Sequence, residues 1–398
     1  MIKKIELHNW KSFIFSELYI DPLTFIIGTN ASGKSNMLDA LFFLKQAADG
    51  VVISDIGHNI RGGTEGMIRN GEKAFTLKVE VENRDYELHY TLSCRKNAST
   101  LEIIDETLIH REEDEELTLF ATKVDEGSTD TSSRTVQFYV ENKVQYKHLE
   151  VQSARTILSQ INSLNTNKFV KRDAIVLAEH LKNIFILDPL PYKMRSFSAL
   201  ATDLASNASN IAGVLAALPE DEKKEVEQCL SEYVRHLPEK DLQRIWAERV
   251  GVLGTDAMLY CEEEWLTAQT QTVDARSMSD GTLRFTAIAL ALLVGKAGSL
   301  LVIEEVDNGL HPSRAKELVE MLRELGARKN IDILCTTHNP QLIDTLGREM
   351  LPFISYVERS PDTGASQVKL LEDLKDLPRL MASGSIGRMM FEDKLHER

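Results

Sequence analysis

The feature that most constrains this chain is the run Gly28-Thr29-Asn30-Ala31-Ser32-Gly33-Lys34-Ser35, which fits the pattern GxxxxGK[ST]. Before it lies a compact apolar stretch, Leu23–Ile27, that suits a buried strand; after it, Ser35–Ala47 carries Met37, Leu38, Leu41, Phe42 and Leu44 on one side of a helix. Strand, glycine loop and helix in that order give the pattern its meaning. Glycines let the loop curl, so that backbone N–H groups and the positive end of the helix face an anion. By average residue frequencies the pattern arises by chance in about one chain of this length in a hundred. The loop is read as a cradle for the phosphates of a nucleotide. Gly28, Asn30, Ala31, Ser32, Gly33 and Asn36 would surround them, Lys34 would reach the β- and γ-phosphates, and the Ser35 hydroxyl would bind Mg²⁺.

A second run, Leu300–Ile303, is a buried-strand pattern that ends in Glu304-Glu305. Paired carboxylates at the end of a buried strand are costly unless a cation or hydrogen bonds compensate them. At the carboxyl end of a sheet they would face the same crevice as a phosphate loop. Glu304 is expected to hold Mg²⁺ through its water shell, and Glu305 to orient and polarise the attacking water. A third run, Met278-Ser279-Asp280-Gly281-Thr282, opens an apolar helix over 282–296; Ser279 and the unhindered Gly281 amide offer another anion site, although alone they read as an ordinary N-cap. A fourth, Thr336-Thr337-His338-Asn339-Pro340, sets a histidine just after a strand, and a lone histidine there is usually structural.

Between these runs the periodicity changes. Phe75, Leu77, Val79, Val81 and then Tyr86, Leu88, Tyr90, Leu92 alternate with polar residues around an Asn83-Arg84-Asp85 turn, which is a hairpin. Leu101–Ile104, Leu117–Val124 and Val136–Val140 extend it to an antiparallel sheet, with the acidic run Glu112–Glu116 in an exposed turn. Residues 51–72 are glycine-rich and read as a long loop. From about Glu150 to Glu248 the pattern is helical and more polar, and the last third returns to alternating helix and strand. The expected organisation is α/β: residues 1–150 as one half of a nucleotide-binding head with an antiparallel β subdomain, 151–270 as an inserted helical lid, and 271–398 as the second half.

Composition narrows the function classes. The 398 residues carry a formal net charge of −15, which argues against a protein wrapped in nucleic acid over most of its surface, though a local basic groove stays open. Lys168, Lys171, Arg172, Lys193 and Arg195 are scattered and read as an ordinary solvated face. Cys94, Cys229, Cys261 and Cys335 show no CxxC pair and no zinc spacing. The longest nearly uninterrupted apolar run, Phe285–Val294, is about half a bilayer span, and the N-terminus carries charge where a signal peptide would need its apolar segment. A reduced, cytoplasmic protein is expected, with no membrane partner.

Taken in order, the four runs resemble the ATP-binding-cassette ATPases of the SMC/RecF/OLD branch, and compact bacterial AAA-family ATPases often associated with anti-phage systems. Ile5-Glu6-Leu7-His8-Asn9-Trp10-Lys11-Ser12-Phe13 looks like that branch's first strand and basic turn, and Glu304 through Pro312 is very similar to the compact ATPases' Walker B and D-loop. The resemblance implies a P-loop NTPase head in which Ser279–Thr282 is the signature motif that contacts the γ-phosphate held by the opposite subunit. It also implies that His338 is the switch histidine, that Lys11 touches phosphate, and that His311 stands in the D-loop. The Q-loop glutamine falls on Gln152 or Gln160. Glu304 stands where most members have Asp, and Asp280 replaces the first signature glycine, adding negative charge near a triphosphate.

The implied activity is ATP hydrolysis by a switch that dimerises head to tail around ATP, or forms a higher oligomer, and controls a DNA-associated event or a separate effector such as a nuclease. Alternatives are a RecF-like repair ATPase that binds duplex DNA directly, and a non-hydrolysing ATP-bound scaffold that restrains a toxin or nuclease. The middle segment is too short for SMC-type arms: at 1.5 Å per residue each arm would reach about 75 Å at most. After the last expected strand little chain remains for a fused Toprim domain.

Overall fold

Alternation of apolar and polar residues fills the first part of the chain with strands, and the computed structural model shows how they pair. It describes residues 1–97, 100–122, 133–140, 145–238, 242–264, 270–374, 377 and 384–392. Along the chain, β1 (Ile2–His8), β2 (Phe15–Tyr19) and β3 (Leu23–Ile27) precede α1 (Lys34–Ala48) and the short α2 (Ile53–Asn59). Six strands follow: β4 (Ala74–Asn83), β5 (Tyr86–Asn97), β6 (Thr100–Glu112), β7 (Glu115–Thr122), β8 (Ser133–Val140) and β9 (Gln145–Gln152). Then come α3 (Lys168–Lys182), β10 (Ile184–Leu187), α4 (Glu220–Arg235), β11 (Leu242–Val250), β12 (Asp256–Glu264) and β13 (Thr270–Asp274). The last part holds α5 (Asp280–Val294), β14 (Leu300–Ile303), α6 (Ala315–Lys329), β15 (Asp332–Thr337), β16 (Ile354–Arg359) and β17 (Ser366–Leu370).

The chain divides into two units. The first comprises Met1–Asp21, Gly28–Ile184 and Ser355–Leu370. Its centre is an eight-stranded antiparallel sheet in the order β2-β1-β4-β5-β6-β7-β8-β9. The expected hairpin is β4–β5, in register from Ala74↔Arg95 to Asn83↔Tyr86, and the acidic run turns at Glu113-Asp114 between β6 and β7. The last two positions of the expected strand Leu117–Val124 lie outside the described residues. One sheet face is apolar because every second residue is: Leu77, Val79 and Val81 on β4, then Leu88, Tyr90 and Leu92 on β5, are all buried. Each such aliphatic side chain contributes about 1.5–3 kcal/mol by leaving water. Phe75 meets Trp10 and Phe43 edge to face, and Trp10 and Phe43 are tilted, with centroids 4.8–5.7 Å apart, which fixes α1 against the sheet.

The same alternation turns one carboxylate inward. Glu106 on β6 is fully buried. It accepts hydrogen bonds from the Ile157 amide at 2.7 Å and the Tyr90 hydroxyl at 3.0 Å, and pairs with the Arg134 guanidinium of β8. The buried charge is thus matched by a cation and several donors, and it ties three strands to the chain that follows β9.

The second unit comprises Pro22–Ile27, Phe185–Ile354 and Leu371–Arg398. Here β14, β15 and β3 run parallel, with β10 flanking β14. Ile303 pairs with Cys335, and Thr337 with Ile27. All three strands are buried along their whole length, as central parallel strands are when both faces are covered. α5 is buried nearly all round, whereas α6 buries one stripe and closes on Asn330 in the left-handed conformation with φ 54°. Among the described residues no helix is long and apolar enough to cross a membrane.

Two expectations need correction. The segment expected as a helical lid does hold α3 and α4, but it also holds β10, β11 and β12, and β13 starts at its last residue; β11, β13 and the two-residue strand Ser198–Ala199 all pair antiparallel with β12. The alternation of β11 is disguised because its register shifts between Leu242 and Arg244. The glycine-rich stretch 51–72 is not all loop. α2 and a 3-10 turn, Glu65–Met67, form within it and bury Ile53, Ile56 and Met67.

Candidate functional site

The first unit holds the phosphate loop. Gly28, Ala31 and Gly33 take positive φ of 152°, 62° and 123°, so the chain curls between β3 and α1. Lys34 is buried and donates from Nζ to the carbonyls of Gly28 at 2.7 Å and Thr29 at 2.9 Å, closing the curl across its mouth. Ser366 of β17 donates to the Ser32 carbonyl and so fixes the far side. Gly33 precedes α1 without any side-chain cap, and the first turn of α1 carries no acidic residue. The start of α1 thus carries neither a side-chain cap nor a first-turn carboxylate that would oppose an anion. Ser32 Oγ is buried with no hydrogen-bond partner. Asn30 and Ala31 are exposed at the rim. Positive curl, an uncapped helix start, a buried ammonium and an orphan hydroxyl form a donor set that fits a triphosphate.

The neighbouring basic turn is organised differently from the expectation. The side chain of Lys11, a residue at φ 48°, is almost fully buried, and its Nζ is 2.6 Å from both Asp39 Oδ2 of α1 and the Arg61 carbonyl. Lys11 thus holds α1 and the 51–72 segment together. Asn36 is engaged too: its side chain donates to Ser12 Oγ at 2.8 Å, and its carbonyl accepts from Trp10 Nε1 at 2.7 Å. Beside these residues opens a cleft of about 670 Å³, lined by Lys11, Ser12, Asn36, Arg61, Arg69 and Arg359 among others. Arg359 donates to the Ala31 carbonyl at 3.1 Å and Arg69 to the Ser12 carbonyl at 3.1 Å. These three arginines escaped the sequence reading. Arg61, heading the Arg-Gly-Gly of the glycine-rich stretch, carried the one visible signal. Gln160 of the two expected glutamines staples its own turn, donating to the Gln152, Arg155 and Thr156 carbonyls.

The second unit holds the acidic turn. The carboxyl ends of β14, β15 and β3 lie side by side, and the chain leaves β14 into Glu304-Glu305 and β15 into His338. Glu305 adopts φ 47°, held by its amide donating to Thr336 Oγ1 at 2.9 Å. Its carboxylate accepts from Asn308 Nδ2 at 3.3 Å and faces His338 Nδ1 at 3.8 Å, with both side chains about two-fifths exposed. Thr337 Oγ1 donates to Asp307 at 2.6 Å and accepts from the Asn339 amide at 3.0 Å. Two successive threonines of β15 therefore staple the turn that carries Glu305 and the turn that carries His338. Nearby, burial pushes the Cys335 thiol up and Asp307 adds to it, so the thiol stays protonated. Among the described residues no group of three His, Cys, Asp or Glu could by itself hold a metal ion.

The signature-like run lies in the same unit. Ser279 caps α5, its Oγ accepting from the Thr282 amide at 3.1 Å, as the ordinary N-cap reading expects. Gly281 has no room for a side chain: a Cβ there would stand 2.9 Å from the Gly309 carbonyl and 3.2 Å from Arg314 Nη1. A cleft of about 440 Å³ opens beside it, lined by Ser279, Asp280, Gly281, Thr282, His311 and Arg314 among others. His311 Nδ1 is engaged with Ser313 Oγ at 2.8 Å and helps cap the turn before α6.

Comparison with known proteins places this geometry. A family model described as an AAA domain matches residues 4–242. A second AAA-domain model, described with the AbiEii toxin and type IV toxin–antitoxin systems, matches residues 267–344. Among solved structures the chain is similar to an Smc head bound to the C-terminal winged-helix domain of ScpA: 15% identity, 92% of this chain, 97% of that chain, TM-score 0.52. It is also similar to an Smc head with an extended coiled coil bound to the C-terminal domain of ScpA from Pyrococcus furiosus: 13% identity, 96% of this chain, 99% of that one, TM-score 0.51. At such identities these likenesses give the fold, that of an SMC-type ATPase head. No curated protein has a sequence that matches the chain.

Proposed function

We propose, on the premise that this chain belongs to the AAA-domain family, that it is an ATP-hydrolysing switch whose copies associate on binding ATP. The observation that carries this reading is the phosphate loop: a curled backbone ahead of an uncapped helix, with a buried lysine closing it and an unpartnered serine hydroxyl inside. Such a loop binds polyphosphate through backbone amides and needs little rearrangement to do so. Lys34 exchanges its carbonyl partners for the β- and γ-phosphates. Arg61, Arg69 and Arg359 line the cleft that receives the rest of the nucleotide.

Mg²⁺, when bound, neutralises the developing phosphate charge, and Ser35 and Glu304 are the residues that would hold it. Glu305, pinned by Thr336 and half open to solvent, orients and deprotonates the attacking water; His338 stands beside it as the group that senses the γ-phosphate. Ser279 and Gly281 present a hydroxyl and an amide to the phosphate held by another copy, which makes ATP the agent of head-to-tail pairing. The switch acts on a separate effector protein or on a DNA-associated event. The assay for the site is phosphate release. Lys34→Ala should reduce turnover to background, since removing a charged transition-state partner commonly costs about a hundredfold or more. Unchanged release would remove the loop from the mechanism.

A further inference from the structure

The signature-like loop carries a carboxylate, Asp280, where the resembling family has glycine, and its negative charge would repel the triphosphate the loop is meant to meet. The second unit supplies a counter-ion from 85 residues earlier in the chain. Arg195 Nη2 lies 2.8 Å from Asp280 Oδ1, and the same nitrogen donates to the Met278 carbonyl at 2.8 Å. One guanidinium thereby grips the residues on both sides of Ser279, whose hydroxyl caps α5. On the opposite flank Arg314 Nη1 donates to Thr282 Oγ1 at 3.3 Å.

The placement of Arg195 is built into the fold. It directly follows the short helix Pro191–Met194, which packs on α5 and buries Pro191 and Met194. That helix begins four residues after β10, in a segment stiffened by Pro189 and Pro191. The carbonyl of Leu187, the last residue of β10, accepts from the Glu304 amide at 3.4 Å. A short rigid strap therefore runs from the strand beside the catalytic carboxylates to the signature loop. The ion pair itself is not a stability device, because Asp280 is 63% exposed and Arg195 28% exposed, and pairs this open contribute little to folding.

We propose that Arg195 is a positioning residue for nucleotide-driven association: it cancels the charge of Asp280 and fixes the backbone around Ser279, so that the loop offers an approaching phosphate a hydroxyl and an amide. This rests on the switch reading above, and the experiment separates the two. In a Glu305→Gln parent, the ATP concentration that gives half-maximal association is measured by light scattering. A parent that does not associate with ATP contradicts the switch reading. In a parent that does, Arg195→Ala should need about tenfold more ATP or worse, the order by which uncompensated like charge suppresses an interface. Adding Asp280→Gly to Arg195→Ala should bring the requirement back to within about threefold of the parent, and Arg195→Lys should stay within the same range. A role limited to packing would not be rescued by deleting a carboxylate. Arg195→Ala behaving like the parent, or a loss that Asp280→Gly does not repair, overturns the proposal. Should Arg195→Ala fail to fold, Arg195→Lys is compared with Arg195→Gln, and equal behaviour of the two overturns it as well.

Discussion

Gly28→Ala probes the phosphate loop at its tightest point. Gly28 sits at φ +152°, and a Cβ on it would stand 2.3 Å from the Val357 carbonyl oxygen, 3.2 Å from the Val357 carbonyl carbon and 3.0 Å from Ser32 Oγ. Val357 is backbone in the middle of β16 and pairs with Val368 of β17, so it cannot withdraw without opening that ladder. Overpacking against a fixed neighbour costs about 1–3 kcal/mol, and the glycine-only backbone region costs an alanine about 1–3 kcal/mol more. The sum, about 2–6 kcal/mol, is a large part of the 5–15 kcal/mol typical of a folded protein. Gly71→Ala is the control. It has φ +91° with nothing within 4 Å of the added methyl, so it carries only the backbone part. Urea unfolding followed by circular dichroism should show Gly28→Ala well below Gly71→Ala, and a fluorescent ATP analogue should bind Gly71→Ala but not Gly28→Ala. Equal stability together with retained nucleotide binding in Gly28→Ala would refute the reading of this loop as a close-packed cradle.

Other outcomes follow from charges placed elsewhere in the first unit. Glu106→Leu leaves the Arg134 guanidinium, the Ile157 amide and the Tyr90 hydroxyl without their shared acceptor. It should cost about 3–5 kcal/mol in denaturant unfolding, because a broken buried pair strands its partner, and a loss under about 1 kcal/mol would show the hub to be dispensable. Glu6 governs an acid transition. Burial alone would raise its carboxyl, but hydrogen bonds from Lys4, Lys78 and His8 hold it down to about 2 from an ordinary 4.5. Because the folded value is the lower one, its stabilisation is complete above about 4.5 and is lost as the pH falls toward 2. Glu6→Gln should flatten the stability profile in that window and leave its slope above pH 6 unchanged; an unaltered acid limb would remove Glu6 from the account.

What the sequence made legible were features carried by neighbours along the chain. The phosphate loop is one contiguous run, and the β4–β5 hairpin shows two clean period-two stretches around a turn. β14 is a short apolar run closed by two carboxylates. What stayed hidden depends on residues far apart in sequence. Arg61, Arg69 and Arg359 line one cleft although the last lies 290 residues beyond Arg69, and Arg195, which reads as one more surface cation, owes its role to Asp280. Only the family resemblance assigns Lys11 to phosphate, and the structure pairs its ammonium with Asp39, one helical turn beyond Ser35 on α1. β11 escaped because its register shift breaks the alternation that betrays a strand, and α2 because it is too short to show a helical period.

On the proposed function, ATP drives copies of this chain together. The most direct test is the mass of Glu305→Gln by size-exclusion chromatography with light scattering, with and without millimolar ATP and Mg²⁺. The mass should be that of a single chain without nucleotide and at least twice that with it. An unchanged mass while ATP is demonstrably bound would contradict that function.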